Sequence, residues 1–424
     1  MEPFVIMARH EMPDRYGEKL ARTGLVEKGA LLLGTACEAD GGDDPRRSPC
    51  PSPASATGRM VSPPPEKAGA LAWNRNDPRT LPLERAVARL GRRAVIAARP
   101  AEPYRTMLRH LAAAPIRLIQ PDDFETRIFL TDLPVLETLT EEELTAALAG
   151  RRGAVTRDGT IVATAKRDPD TALVIYSAAC FAIFVTFFSD LLRKRRQGEL
   201  SGEARRTLKA VRDNLGPPVP PPPALASGPF SSPGEIREAI AAAGRLTVQQ
   251  GLVDANFGNV SYRHGDELFI TGRGSPLDAL AGRILVVPLP GPSHGDAAAS
   301  TELPAHRRIV LETPYRAVLH GHPKFSVILS MDCREEGCPG RGNCHRRCLR
   351  ERLLAGIPVV AGEAGAGPDS LGNTVPPAVR DHGAAVVFGH GVFTAGRRDF
   401  HEAFTRLYDL ESTCRDIYFR ILGD

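Results

Sequence analysis

The feature that most constrains the fold is a pattern the chain runs through twice. Leu133-Pro134-Val135 and Ala154-Val155-Thr156-Arg157-Asp158-Gly159-Thr160 are followed by a basic turn, Lys166-Arg167-Asp168, and then a helix. The second half repeats that order with Ile357-Pro358-Val359, Ala385-Val386-Val387-Phe388-Gly389-His390-Gly391 and Arg397-Arg398-Asp399. Upstream, Val95-Ile96-Ala97-Ala98-Arg99-Pro100 parallels Val318-Leu319-His320-Gly321-His322-Pro323, and Thr80-Leu81-Pro82 parallels Glu302-Leu303-Pro304. Self-similarity in the same order is the mark of one structural unit used twice, and 424 residues suit two or three domains. Two low-complexity stretches set the boundaries. Residues 38–69, rich in Pro, Ser, Gly and charge, are expected to form a long mobile loop. Residues 216–233 carry a proline run that can neither continue a helix nor enter a sheet interior, and so read as a semi-rigid linker. The domains expected are residues 1–215 and 234–424.

The second half reads as mixed α/β. A capping-box pattern at Ser232-Pro233-Gly234-Glu235 opens a helix. Short strand-like runs follow at Asn259–Tyr262, Glu267–Thr271 and Ile284–Val287, and an amphipathic helix closes the chain from Asp399 to about Leu422. Two further strands, Ala317–His320 and Ala384–Phe388, deliver histidines. Strand alternation puts His320 and His322 on one face. With His390 and the carboxylate of Glu302 they make up the usual number of ligands for a catalytic zinc. In the first half the equivalent positions are Thr80, Ala97, Arg99 and Gly159, none of them a good zinc ligand. A formal charge of +4 with scattered arginines gives no basic stripe for nucleic acid.

Five segments in order, Gly258-Asn259-Val260-Ser261, Thr271-Gly272-Arg273-Gly274, Ser300-Thr301-Glu302-Leu303-Pro304-Ala305-His306, His320-Gly321-His322-Pro323 and Gly389-His390-Gly391-Val392, resemble the class II aldolase/adducin family. The resemblance, most like fuculose-phosphate aldolase, runs from about Ile236 to Leu422. It implies two α/β domains, each a mostly antiparallel central sheet flanked by helices in three layers, the first domain being a degenerate copy. It also implies that His320, His322 and His390 bind zinc or another divalent metal and that Glu302 moves a proton. Gly258, Asn259, Thr271, Gly272, Ser300 and Thr301 would cradle a phosphate, since small residues allow close approach and hydroxyl and N–H groups bind anions. The implied activity is a carbon–carbon lyase working through an enediolate on a small, phosphorylated, sugar-like ketose or aldehyde. Epimerisation, dehydration and a non-catalytic adducin-like scaffold are the alternatives. A homo-oligomer is implied as well. The family's second acid/base, roughly twenty residues beyond the paired histidines, has no tyrosine counterpart in this chain.

That position holds Cys333, Cys338, Cys344 and Cys348 instead, four thiols that can wrap a second zinc or an iron–sulfur cluster; four reduced thiols in a loop are the alternative. Cysteines clustered in this way fit a reducing compartment, and an N-terminus with acidic residues and no long apolar core does not read as a signal peptide; a cytoplasmic protein is expected. Thr171–Ser189 contains no charged residue and is followed by Arg193-Lys194-Arg195-Arg196, which qualifies it as a membrane-span candidate. Its place in the repeat, opposite the closing helix, favours a buried helix over a membrane.

Overall fold

The structure is a computed structural model and describes residues 16, 18–21, 24–27, 29–36, 71–216, 224–254, 257–335, 337–365 and 367–423. The expected loop at 38–69 and the linker prolines at 217–223 lie outside the described residues. The chain forms two compact units. One comprises Met1–Gln120 with Phe129–Ile183, the other Pro121–Ile128 with Phe184–Asp424. The division falls inside a helix rather than in the proline-rich segment, and a short stretch of the first half joins the second unit.

In the first unit the elements run β1 (Leu32–Ala36), β2 (Leu71–Trp73), α1 (Thr80–Arg89), β3 (Ala94–Ala98), α2 (Tyr104–Ala113) and β4 (Leu118–Ile119). After α3 (Phe124–Phe129) come β5 (Leu133–Leu136), α4 (Glu141–Leu148), β6 (Gly153–Thr156), β7 (Ile161–Ala165) and α5 (Pro169–Gln197). The sheet order is β2-β1-β3-β7-β6-β5-β4, and the β5–β6 pair is parallel.

The second unit continues with α6 (Gly202–Leu215), α7 (Pro233–Gln249), β8 (Asn259–His264), β9 (Glu267–Thr271), β10 (Ile284–Pro288), α8 (Leu303–Glu312) and β11 (Ala317–Gly321). It ends with α9 (Lys324–Met331), β12 (Leu353–Leu354), β13 (Ile357–Val360), α10 (Leu371–His382), β14 (Ala384–Val387), β15 (Gly391–Gly396) and α11 (Phe400–Leu422). Its order is β10-β9-β8-β11-β15-β14-β13-β12, with the parallel pair at β13–β14.

Apart from β10, the two sheets share one strand order and one set of orientations. The register agrees as well. Ala94 pairs with Ala165 in the first sheet as Ala317 pairs with Gly396 in the second. Ala97 therefore occupies the place of His320, and Gly159, just before β7, that of His390, as the repeat in the sequence indicates. The α/β class holds, with both sheets mostly antiparallel and flanked by helices. In the second unit Ile309 of α8 and Val375 of α10 pack on the face that carries Val318, Ala385 and Phe393. The opposite face approaches α11, where a Cβ on Gly321 would lie 3.1 Å from Leu407. The predicted capping box opens α7, with Ser232 accepting from the Glu235 N–H.

The charge-free run lies in α5, which is long and apolar enough to cross a membrane, but 83% of its apolar window is buried inside the protein. Phe188 in that run meets Phe325, Tyr418 and Phe419 edge-on, and its carbonyl accepts from the Tyr418 hydroxyl at 2.8 Å. A helix satisfied by aromatic packing of this kind is a core helix, as its place in the repeat suggests.

Candidate metal centre

Strand β11 lies between β8 and β15, so His320 faces Asn259 on one side and Phe393 on the other. Its Nδ1 donates to the Val392 carbonyl at 3.0 Å, which leaves the Nε2 lone pair directed into the site. The Phe393 ring stacks on the imidazole at 4.1 Å and fixes its plane. One residue beyond the strand, the His322 N–H donates to Leu252 O at 2.9 Å, and Phe257 stacks on the ring at 5.7 Å. His390 sits in the turn between β14 and β15. Gly389, with φ +59°, makes that turn, and its N–H is held by the Ser330 hydroxyl at 2.8 Å. The ligand atoms of the three buried histidines lie within 4.8 Å of one another, and His320 and His322 approach Nε2 to Nε2 at 2.9 Å.

Glu302 closes the group as the N-cap residue of α8, a helix started by a proline in its first turn. Its two oxygens lie 3.2 Å from His320 Nε2 and 3.3 Å from His390 Nε2. The carboxylate is held from behind by a buried relay: Asn259 Nδ2 donates to Glu302 at 2.7 Å, His306 Nε2 meets the Asn259 Oδ1, and Ser261 Oγ meets His306 Nδ1 at 2.7 Å. Asn259, one of the residues expected at a phosphate, therefore spends its amide on orienting Glu302. Gly258, another, has φ +82°, and a Cβ there would lie 2.6 Å from His320 O, so the close approach of these strands already requires glycine. The Thr271 hydroxyl accepts from Val260 N–H at 3.3 Å, Ser300 N–H donates to Thr271 O at 3.1 Å, and Gly272 bridges to Ala299. These residues adjoin one another near Glu302, whose own N–H donates to Ser300 Oγ; Thr301 is exposed.

Burial dominates the electrostatics. It lowers His320 to about 3, His390 to about 4 and His322 well below its ordinary value, so all three present neutral imidazoles, the form that ligates a metal. Burial raises Glu302, against the opposing pull of His390 and the Asn259 hydrogen bond. His306 is lowered to about 3, first by burial and then by His320. Because the unfolded chain protonates this histidine near its ordinary value of 6.5 while the fold does not, His306 supports the fold above pH 6.5 and loses that support as the pH falls toward 3. Urea denaturation of the metal-free protein and of His306→Gln at pH 7, 6 and 5 should show the wild-type advantage shrinking, by up to about 1.4 kcal/mol per pH unit. A difference that stays constant across that range would remove His306 from the account.

Sequence reasoning missed Glu125. This residue of α3, in the first half of the chain but within the second compact unit, places Oε2 3.2 Å from His390 Nε2. Burial, then the nearby charges of Glu302 and Asp123, pushes its carboxyl up to about 8. The one local signal is the helix start: Asp123 caps α3 by accepting from Thr126 N–H at 2.7 Å. The cysteine loop is less gathered. Cys333, Cys338 and Cys344 line a cavity of about 190 Å³, and the Cys344 thiol is raised by burial and then by Cys348, Cys333 and Cys338. Among the described residues, only the three histidines bring ligand atoms into a metal-sized group.

The histidine site fits a metal by its donors. Tetrahedral zinc with ligand atoms about 2.0–2.1 Å away holds those atoms roughly 3.3 Å from one another, close to the 3.2 and 3.3 Å contacts of Glu302.

Residues 238–418 match the family model for the class II aldolase and adducin N-terminal domain. Among solved structures, L-fuculose-1-phosphate aldolase from Thermus thermophilus is 28% identical, with 45% of this chain and 97% of that one covered and a TM-score of 0.37. A sugar-phosphate aldolase from Thermotoga maritima is 22% identical, with 45% and 95% covered and a TM-score of 0.33. No curated protein matches the chain.

Proposed function

Since its C-terminal half is a class II aldolase/adducin domain, we propose that the protein is a metal-dependent lyase acting on a small, phosphorylated, sugar-like ketose or aldehyde. The observation that carries this reading is the convergence of three buried, neutral imidazoles with the Glu302 carboxylate. His320, His322 and His390 would hold a divalent ion, zinc by donor type. A bound ion supplies Lewis-acid polarisation of a substrate carbonyl. Glu302 takes the proton from the substrate and returns it. Its raised proton affinity brings it toward neutral pH, where a general base both accepts and releases a proton. Asn259 and His306 position it. The substrate's phosphate would lie against the adjoining segments at Gly258, Thr271, Gly272, Ser300 and Thr301.

Epimerisation and dehydration need the same proton transfer and are alternatives within the family. A non-catalytic, adducin-like binding role is less well supported, because the complete histidine set beside an oriented carboxylate has no use in a scaffold. The first half, with Ala97 and Gly159 at the equivalent positions, shows the same fold without the site; we read it as a degenerate second copy. A cytoplasmic homo-oligomer completes the proposal.

The test is elemental analysis of the purified protein together with a panel of sugar phosphates. One equivalent of metal and turnover of at least one substrate are expected, and His320→Ala should lose both without unfolding. A chelator-free preparation that carries no ion would end this reading. The same measurement decides the cysteine loop. A second equivalent that disappears in Cys344→Ser would place an ion on the thiols, whereas one equivalent in both proteins would leave them as reduced thiols.

A further inference from the structure

The family match begins at residue 238, yet a second carboxylate beside His390 comes from residue 125. Its position is built rather than accidental. The Phe124 N–H donates to Gly389 O at 2.7 Å, one residue before the ligand, and the Phe124 ring stacks on His345 at 4.8 Å and 18°. Asp123, fully buried, locks the first turn of α3 through the Thr126 N–H and hydroxyl. Glu125, the residue after Phe124, thereby lies 3.2 Å from His390 Nε2, close to the 3.3 Å at which Glu302 approaches the same atom. Among the described residues no lysine or arginine pairs with Glu125. Two carboxylates thus approach His390 Nε2, each with oxygens that can serve a cation. Carboxylate oxygen and neutral imidazole nitrogen are both donors that a divalent ion takes.

We infer that Glu125 is a ligand of the same metal ion, supplied to the centre by the first half of the chain. The inference rests on the metal reading of the three histidines. It gives the first half a chemical part in the site even though its own copy of the site is gone. Glu125 would then add a carboxylate oxygen to the donors that the three imidazoles and Glu302 offer the ion.

The experiment is chelator competition on the full-length protein with zinc, and with cobalt for its visible spectrum, comparing wild type, Glu125→Gln and His320→Ala. Glu125→Gln is expected to bind one ion with about 10–100-fold weaker affinity, the size of loss seen when a group supporting a metal site is removed, and to alter the cobalt spectrum. If affinity and spectrum match wild type, the inference is overturned while the histidine site stands. If wild type binds no ion, or His320→Ala binds as tightly as wild type, the histidine reading itself fails. Should Glu125→Gln not fold, the crystal structure of the zinc-loaded wild type decides. A Glu125 oxygen about 2.0–2.2 Å from the ion supports the inference, and a Glu125 turned away from it overturns it.

Discussion

Glu302→Gln is expected to lower turnover by about 10²–10⁴-fold, the usual contribution of a positioned general acid/base, while the protein stays folded and keeps its ion. Glutamine has the same shape, and its amide oxygen can still accept the 2.7 Å hydrogen bond from Asn259. What it cannot do is take up a proton and return it. The three imidazoles are held by other contacts: His320 by Val392 O, His322 by its stacking on Phe257, and His390 by the turn that Gly389 makes. Steady-state kinetics, metal content and circular dichroism measured on one preparation separate the outcomes. Turnover near wild type would mean that the proton passes elsewhere. A variant with no ion would instead make Glu302 chiefly a ligand.

The fold was legible because its signals are local and repeated. Apolar runs ending in Gly or His-Gly placed β11 and β14 to within a residue, and the capping box at Ser232 fixed the start of α7. The strand order that the two sheets share was readable because strand pairing preserves register. Ala97 and Gly159 fall where the sequence match put them, although their chemistry is lost. The division of the chain was not readable. A proline run announces a boundary through composition alone, whereas the compact units divide within α5, where no residue type marks the change.

At the site, the residues that could hold a metal were legible and those that position them were only partly so. His-x-His on a strand is a spacing, and spacing survives in a sequence. Asn259 reads as a turn or phosphate residue until the register opposite His320 turns its amide to Glu302. His306, four residues after Glu302, looks like any helix histidine until Ser261 and Asn259 close around it. Glu125 leaves only the sign of a helix start at Asp123, because the contact that matters joins residues far apart in the chain. Four cysteines at short spacing suggest a metal, but spacing within a loop does not direct the sulfurs toward one point.

Gly391→Ala is expected to disable the centre as completely as the loss of a histidine ligand, although it removes no donor. Gly391 begins β15 immediately after His390, and a Cβ there would lie 2.5 Å from Gly321 O, 2.8 Å from His320 Cε1 and 2.8 Å from His322 Cδ2. One obstacle is the backbone of β11 and the other two are ligand rings, so no flexible side-chain end is present to swing aside. Relief requires β15 to move off β11, which breaks their pairing at Gly321 and Val392, or the two imidazoles to turn out of their planes. The first route lowers stability by about 1–3 kcal/mol, as overpacking of a close-fitted core does. The second destroys the ligand geometry. The melting temperature of the metal-free variant reports the first, and chelator competition reports the second. The prediction is a lowered melting temperature together with loss of stoichiometric metal. A variant that bound the ion as tightly as wild type would show that the strands can separate here without cost, and that the close seating of Gly391 under His320 and His322 is not what holds the two rings in place.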